Sequence, residues 1–244
     1  MIAKNLKAEI RSALYPVPAA ETRAVAATIA AARRLRPQYP YCPSYEGDLL
    51  YRLAARPEIS RAIEIGFATG STALYLLEAI ASKGGAVFSI DYKQDDFDNL
   101  GIETVAASPR RDAHTLLEGN SNLLLPRLLD QGERFDLVFL DGWKVFDHLL
   151  VDVYYTARML REGGYMFFDD ANMPSTRKVI SLLSRYYQFE EIDYSAFGEG
   201  WRHLAWFALS QGGLRWGRPY RAFRKPRDFD KLPAISRYDF WSSF

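Results

Sequence analysis

Between residues 62 and 169 the chain repeats one pattern: a short, nearly unbroken apolar run, a glycine or polar break, then a segment with apolar residues at helical spacing. The runs predict strands over residues 62–66, 86–91, 114–118, 135–141 and 165–169, and the segments between them predict helices over 71–81, 122–130, 146–160 and 175–186. Strands that are apolar at successive positions, instead of alternate ones, belong to a parallel sheet covered by helices on both faces. Two later runs, 189–194 and 203–209, are spaced to pair as an antiparallel hairpin at the sheet edge. Ahead of the repeat, helical patterns fall at 3–14 and 19–35, the second rich in alanine and ended by Arg33, Arg34 and Arg36. A connector rich in proline and tyrosine occupies 37–43, and Ser44 is placed to cap a helix running to residue 55. The expected fold class is α/β: a doubly wound, mostly parallel sheet with an antiparallel edge strand, N-terminal helices and an irregular C-terminal tail. The chain divides into an N-terminal helical extension (1–46), a central ligand-binding domain (47–210) and a tail (211–244).

The first strand ends in Ile63-Glu64-Ile65-Gly66-Phe67-Ala68-Thr69-Gly70-Ser71-Thr72. Gly66 and Gly70 remove Cβ atoms that would keep a ligand off the backbone, while Thr69 and Ser71 are placed to cap the following helix. A nucleoside lying across this turn has its polar edges met by backbone N–H groups. The spacing is E-x-G-x-x-x-G and not G-x-G-x-x-G, which favours S-adenosylmethionine over NAD.

Open α/β sheets hold ligands outside the carboxyl ends of their strands, and the polar residues collect there. Asp91, followed by Tyr92, ends strand two about 20-odd residues past the first glycine, where an ionised carboxylate accepts both hydroxyls of a ribose. Strand three ends at Glu118-Gly119-Asn120-Ser121, whose side chains are placed to reach an adenine edge. Strand four ends at Asp141-Gly142-Trp143-Lys144, where Trp143 either stacks on adenine or belongs to the core. Strand five follows Gly163-Gly164 and ends at Asp169-Asp170, with Asn172 close behind. Asp169 and Asp170 are equally placed to cap the helix that begins near Pro174.

Composition narrows the function classes. A formal net charge of +1 gives no basic excess for nonspecific nucleic-acid binding. Cys42 is the only cysteine, so an internal disulfide and a thiolate metal cluster are both excluded. The first residues meet charge too early for a signal peptide, and no apolar run reaches membrane-spanning length, so the expectation is a soluble cytoplasmic protein without membrane or nucleic-acid partners. His114 and His148 read as structural and His203 as more open, with no two histidines at ligand spacing. Ser71 and Ser121 lack triad partners.

Glu64–Gly70, Asp91, residues 135–142 and residues 160–170, in that order, resemble the motifs of class I S-adenosylmethionine-dependent methyltransferases, over roughly residues 47–209. Asp141-Gly142-Trp143-Lys144 with Gly163-Gly164 and Asp169-Asp170 is most similar to the catechol and caffeoyl-CoA O-methyltransferase branch and its bacterial relatives. The resemblance implies a Rossmann-like, seven-stranded sheet whose last strand is antiparallel. It implies a methyl-donor site formed by Glu64, Gly66, Ala68, Thr69, Gly70, Ser71, Asp91, Tyr92, Asn120, Ser121, Asp141 and Trp143. It also implies a divalent cation, Mg²⁺, Mn²⁺ or Ca²⁺, on Asp141, Asp169 and Asp170, where the branch carries Asn at the last position. Asn172 is a backup ligand at the wrong offset. Lys144, with Asp141 beside it, stands at the position of the proposed general base, and Glu199 at that of an acid orienting a second substrate hydroxyl. The reaction implied is in-line O-methylation of a small-molecule hydroxyl acceptor, whether saccharide, polyketide or phenolic. A metal-independent methyltransferase and a non-catalytic nucleoside-binding module remain alternatives.

The tail interleaves Trp216, Tyr220, Phe223, Phe229, Tyr238, Phe240 and Trp241 with basic residues. One reading is a segment that wraps the domain or a partner copy, in a homodimer, with the aromatics as anchors. The other is a lid that binds an anionic substrate through Arg218, Arg221, Arg224, Lys225 and Arg227.

Overall fold

The computed structural model describes residues 20–192 and 220–229. Helices α1 (Thr22–Leu35) and α2 (Ser44–Ala54) lead into an alternating series. It runs β1 (Arg61–Ile65), α3 (Ser71–Ile80), β2 (Ala86–Asp91), α4 (Leu100–Ala106), β3 (His114–Glu118), α5 (Ser121–Asp130), β4 (Phe135–Leu140), α6 (Phe146–Met159), β5 (Leu160–Phe168) and α7 (Pro174–Arg185). Two short strands complete the sheet, β6 (Glu190–Ile192) and β7 (Arg221–Arg224). The strand order is β3-β2-β1-β4-β5-β7-β6, parallel from β3 to β5, with β7 antiparallel to both β5 and β6. The mostly parallel sheet is the one expected from the apolar runs, and its seven strands match the number the resemblance implies.

Those runs are continuous because each strand serves two cores. Ala62, Leu137, Phe139, Tyr165 and Phe167 face one side with Leu49, Leu50 and Leu53 of α2 and Leu76 and Leu77 of α3. Ile63, Ile65, Val138, Leu140, Met166 and Phe168 face the other with Leu125 of α5, Leu149 and Val153 of α6 and Val179 and Leu183 of α7. Alternate residues of one strand thus bury against opposite helix layers, and a fully buried aliphatic or aromatic side chain contributes about 1.5–3 kcal/mol. Among the described residues no helix is long and apolar enough to cross a membrane.

Three local expectations are corrected. Helix α4 was not anticipated: it is only seven residues long with Gly101 as its second residue, too short to carry a clear helical period. The antiparallel partner of β6 is β7, inside the tail expected to be irregular, while residues 203–209 lie outside the described residues, as do residues 3–14. A four-residue strand supplies too little period to be read, and pairing with β5 and β6 decides it. Ser44 is the first residue of α2, not its cap; Pro43 precedes it and no side chain caps the helix.

Asp136, at the start of β4, ties three segments together. Its Oδ2 accepts from the N–H of Ser60 at 2.9 Å, from the Ser60 hydroxyl at 3.0 Å and from the N–H of Arg61 at 2.9 Å, and its Oδ1 from Arg161 at 2.6 Å. Burial alone would raise the carboxyl's pKa, but these donors, led by the Ser60 N–H and Arg161, bring it below the ordinary value. A lowered folded-state pKa stabilises the fold above the unfolded value, and that stability is lost as pH falls through the folded one. Asp136→Ala is therefore expected to lower the unfolding free energy by about 2–4 kcal/mol at pH 7 in urea titrations, with the deficit shrinking below about pH 4.

Candidate active site

The sheet order reverses between β1 and β4, and the carboxyl ends of the strands open there into a cavity of about 520 Å³. Its floor is set by rungs that continue the ladders one step past the strands. Gly66 N–H donates to Ile90 at 2.9 Å, Asp141 N–H to Ile65 at 2.8 Å, Asp169 N–H to Leu140 at 3.1 Å and Gly119 N–H to Asp91 at 2.7 Å. Gly66, Asp91, Gly119, Asp141 and Asp169 therefore meet around one opening, and all five line it.

One half of the cavity is built from the β1 turn and the ends of β2 and β3. Asp91 Oδ2 accepts from the N–H groups of Phe67 at 3.0 Å and Ala68 at 2.6 Å, which locks the turn against β2, and Ala68 adopts a left-handed φ of 45° to make it. Ala68, Thr69, Ser71, Tyr92, Asn120, Ser121 and Trp143 line the cavity as expected. Trp143 is 63% exposed, which excludes the core alternative, and its ring lies 6.1 Å from that of Tyr92 and 5.3 Å from that of His148. Asn120 spends its Oδ1 on the N–H of Asn122, capping α5. Among the lining residues not expected from the sequence are His148, read as structural, and Asp152, whose pKa burial raises to about 6 against hydrogen bonds from Ser121 and Asn122. Both belong to α6, and their sequence carries no motif; only the packing of α6 beside α5 turns them inward.

The glycine and capping expectations need correction. A Cβ on Gly66 would lie 2.4 Å from Asp141 O, and one on Gly70 2.9 Å from Gly101 O. Both residues have positive φ, so what glycine permits here is close approach of backbone to backbone; Gly70 does not line the cavity. Gly70 itself is the N-cap of α3, without a side-chain bond. The Thr69 hydroxyl donates to Pro40 O at 2.8 Å and the Ser71 hydroxyl accepts from Cys42 N–H at 2.8 Å, so both anchor the connector instead of capping the helix. The N-cap of α7 is Met173, so neither Asp169 nor Asp170 caps that helix.

Glu64 also departs from its expected place. It is fully buried beneath the turn, does not line the cavity, and accepts a 2.6 Å bond from the Ser89 hydroxyl. His114 Nε2 lies 2.7 Å from the same hydroxyl, and burial lowers the imidazole to about 4, so it is neutral and structural, as read. Glu64 Oε2 makes no hydrogen bond of normal geometry, although Thr72 is near enough to favour the ionised form. Burial dominates and raises the carboxyl to about 8.

The other half of the cavity is acidic. Ligand oxygens of Glu46, Asp141 and Asp169 lie within 4.8 Å of one another. Two oxygens on a common hard cation sit at most twice the bond length apart, about 4–5 Å, so this all-oxygen set fits such an ion. Asp170, expected as the third ligand, lines the cavity but is not in the cluster; its backbone turns left-handed at φ 50°. Glu46, from α2, is the third member of the cluster and was missed, since a lone glutamate in a helix signals nothing by itself. Burial raises Asp169 to about 10, helped by Glu46 and Asp141, and raises Glu46 to about 8, helped by Asp141. Lys144 is 11% exposed and donates to Asp141 Oδ1 at 3.0 Å, beside the cavity but not among its lining residues. Burial pushes the Cys42 thiol, in the opposite wall, well above its ordinary range.

The described part of the tail belongs to the domain. The Tyr220 hydroxyl lies 3.0 Å from that of Tyr45, Arg221 pairs with Glu191 at 2.7 Å, and Lys225 donates to Leu160 O at 2.5 Å. Arg221, Arg224 and Lys225 are thereby engaged along the sheet edge and do not line the cavity, which removes them from the anionic-lid reading. Glu199, His203 and Arg218 lie outside the described residues.

Residues 63–171 match the family model described as a methyltransferase domain, the family that the motif order resembles. Among solved structures the chain is similar to the O-methyltransferase TomG from Streptomyces achromogenes, involved in tomaymycin synthesis and in complex with S-adenosylmethionine. Identity is 18% over 91% of this chain and 96% of that one, with a TM-score of 0.64. It is similar to an O-methyltransferase from Bacillus cereus in complex with S-adenosylhomocysteine, at 17% identity over 92% and 100% of the two chains and a TM-score of 0.63. A methyltransferase from Geobacter sulfurreducens is 20% identical over 86% and 91%, with a TM-score of 0.60. At these identities the likeness is one of fold. No curated protein matches the chain.

The displaced Glu64 gives a stability test. Its folded-state pKa near 8 stands above the ordinary 4.5, so the stability it contributes is full below about 4.5 and is lost as pH rises through about 8. Glu64→Gln keeps an acceptor for Ser89 and removes the titration. The variant is expected to match the wild type in urea titrations at pH 4.5 and to exceed it by about 3–5 kcal/mol at pH 8.5. Equal curves at both pH values would show that the carboxyl is not desolvated.

Proposed function

We propose, from the methyltransferase domain this chain carries over residues 63–171, that it transfers a methyl group from S-adenosylmethionine to a hydroxyl of a small acceptor held beside a divalent cation. The observation that carries the reading is the position of Asp91, Asp141 and Asp169 around one cavity at the sheet's switch point. When bound, the sulfonium nucleoside supplies an already activated methyl group, and the cation lowers the acceptor hydroxyl's pKa and fixes its position.

The chain's own residues divide the remaining work. Asp91, whose Oδ2 is held by the N–H groups of Phe67 and Ala68 and whose Oδ1 accepts the Lys93 N–H at 3.2 Å, keeps one acceptor site on Oδ1 for a ribose hydroxyl. Tyr92 and Trp143 offer aromatic faces for a purine, and Ser121 and Asp152 offer polar groups for its edge. Carboxylates at Asp91, Asp141, Asp152, Asp169 and Asp170 suit a ligand with a positive sulfur. Asp141 and Asp169 would hold the cation, being hard oxygen donors brought together from β4 and β5. Lys144 would take the acceptor's proton as a neutral amine, after a cation has replaced its ammonium beside Asp141 and that ammonium has released a proton to solvent. The acceptor itself would face Pro40, Tyr41, Cys42 and Pro43, a mostly apolar wall that suits a flat or aliphatic hydroxylated metabolite. Homodimer formation and a cytoplasmic location belong to the same proposal.

A metal-independent variant of this reading draws on the Lys144–Asp141 ion pair, which already neutralises one carboxylate. A chelator separates the two. Asp91→Ala is expected to weaken S-adenosylhomocysteine binding about 10–100-fold by calorimetry, the loss of one charge-assisted hydrogen bond together with the Asp91 anchor of the turn. Lys144→Met is expected to lower kcat about 10²–10⁴-fold against a hydroxyl library while leaving that binding nearly unchanged. EDTA is expected to stop turnover and added Mg²⁺ or Mn²⁺ to restore it; turnover that persists in EDTA selects the metal-independent chemistry.

A further inference from the structure

We propose that Glu46, delivered by α2, is the third carboxylate of the cation site, completing it with Asp141 and Asp169 in the place the sequence assigns to Asp170. The inference rests on the cation-assisted reading above and identifies the ligand set of that same site.

Three observations carry it. Ligand atoms of Glu46, Asp141 and Asp169 come within 4.8 Å of one another, and those of Asp170 are not in that group. Glu46 is 3% exposed, lines the cavity, and its Oε1 is wholly shielded without a hydrogen-bond partner among the described residues. A buried carboxylate oxygen with nothing to bind is costly, and a cation at the centre of the cluster supplies the missing partner. The third observation is how the side chain is held. Tyr220 hydrogen-bonds the Glu46 carboxyl, and its hydroxyl is fixed in turn by that of Tyr45 at 3.0 Å. One oxygen is thereby anchored to the aromatic layer while Oε1 is left for the site.

Charge closes the argument. Three carboxylates converging on one point repel one another when ionised, and a divalent ion at their centre supplies the opposite charge. Asp170 has a different geometry. Its backbone is left-handed at φ 50° and its carboxylate lies outside the cluster. The exchange also changes what the ion does mechanically. A site confined to Asp141 and its neighbours at β5 would join only strand ends, whereas Glu46 ties α2 to them. Cation binding then stabilises the wall that faces the acceptor as well as the sheet.

The test is Mn²⁺ binding by the full chain without methyl donor, followed by electron paramagnetic resonance and by thermal melts. The wild type is expected to bind Mn²⁺ saturably and to melt at a higher temperature with it. Glu46→Gln is expected to weaken binding about tenfold or more and to abolish the thermal shift, while Asp170→Asn changes the affinity less than about threefold. Circular dichroism confirms folding, and Glu46→Asp, which keeps the charge but shortens the reach, is expected to bind at intermediate affinity and serves if Glu46→Gln does not fold. Wild-type affinity in the Glu46 variants, or a larger loss in Asp170→Asn than in Glu46→Gln, overturns the inference and leaves the cation reading standing. A wild type that binds no Mn²⁺ overturns both, and leaves the methyl-donor site to be judged by S-adenosylhomocysteine binding alone.

Discussion

The site depends on a parallel ladder whose rungs run one residue past the strands. The N–H groups of Gly66, Gly119, Asp141 and Asp169 each find a carbonyl on a neighbouring strand or its last residue. The backbone of every one of these residues is therefore fixed by the sheet and not by a loop. Because the strands beneath are buried on both faces, any shift in register would move Ile63, Val138 and Met166 out of one core and Ala62, Leu137 and Tyr165 out of the other. The positions of Asp91, Asp141 and Asp169 are thus over-determined by packing that has nothing to do with chemistry.

That rigidity lets the protein hold an unfavourable charge arrangement. Glu46, Glu64 and Asp169 all have carboxyl groups that burial pushes upward, and the charge of Asp141 raises Glu46 and Asp169 further. Left to itself such a cluster opposes folding, a cost that binding sites commonly carry and the rest of the fold offsets. The aromatic layer of Tyr45, Tyr220 and Phe167 and the apolar core beneath it prevent the carboxylates from relaxing apart. The repulsion would be relieved by a positive partner, which is the part the proposed sulfonium ligand and cation would play.

The two halves of the cavity come from different parts of the chain. The segment 63–171 that matches a methyltransferase domain supplies the turn after β1, Asp91, Trp143, Asp141 and Asp169. The facing wall, Pro40 to Pro43 and Glu46, precedes that segment, and Tyr220, which braces Glu46, follows it. The hydroxyl of Thr69 and that of Ser71 pin the connector to the turn through Pro40 and Cys42, so the wall is registered against the nucleoside side by two hydrogen bonds.

The sequence by itself determined the sheet and the residues at its strand ends. Apolar runs long enough to be buried on both faces can be little else, and β2 and β3 fall on the predicted residues because a polar residue or glycine bounds each run. Asp91, Asp141 and Asp169 were legible for the same reason: Asp91 ends a strand, and Asp141 and Asp169 come next after one. Tertiary structure alone decided what lies across space from them. Glu46, His148 and Asp152 sit within helices, where a single polar residue on one face carries no local signal, and only helix packing turns them toward the cavity. It also decided that Gly66 and Gly70 serve backbone contacts, that Glu64 lies beneath the site, and that four residues of an aromatic tail are a strand. Periodicity reports which side of an element is buried; it contains no information about which distant carboxylate will be waiting there.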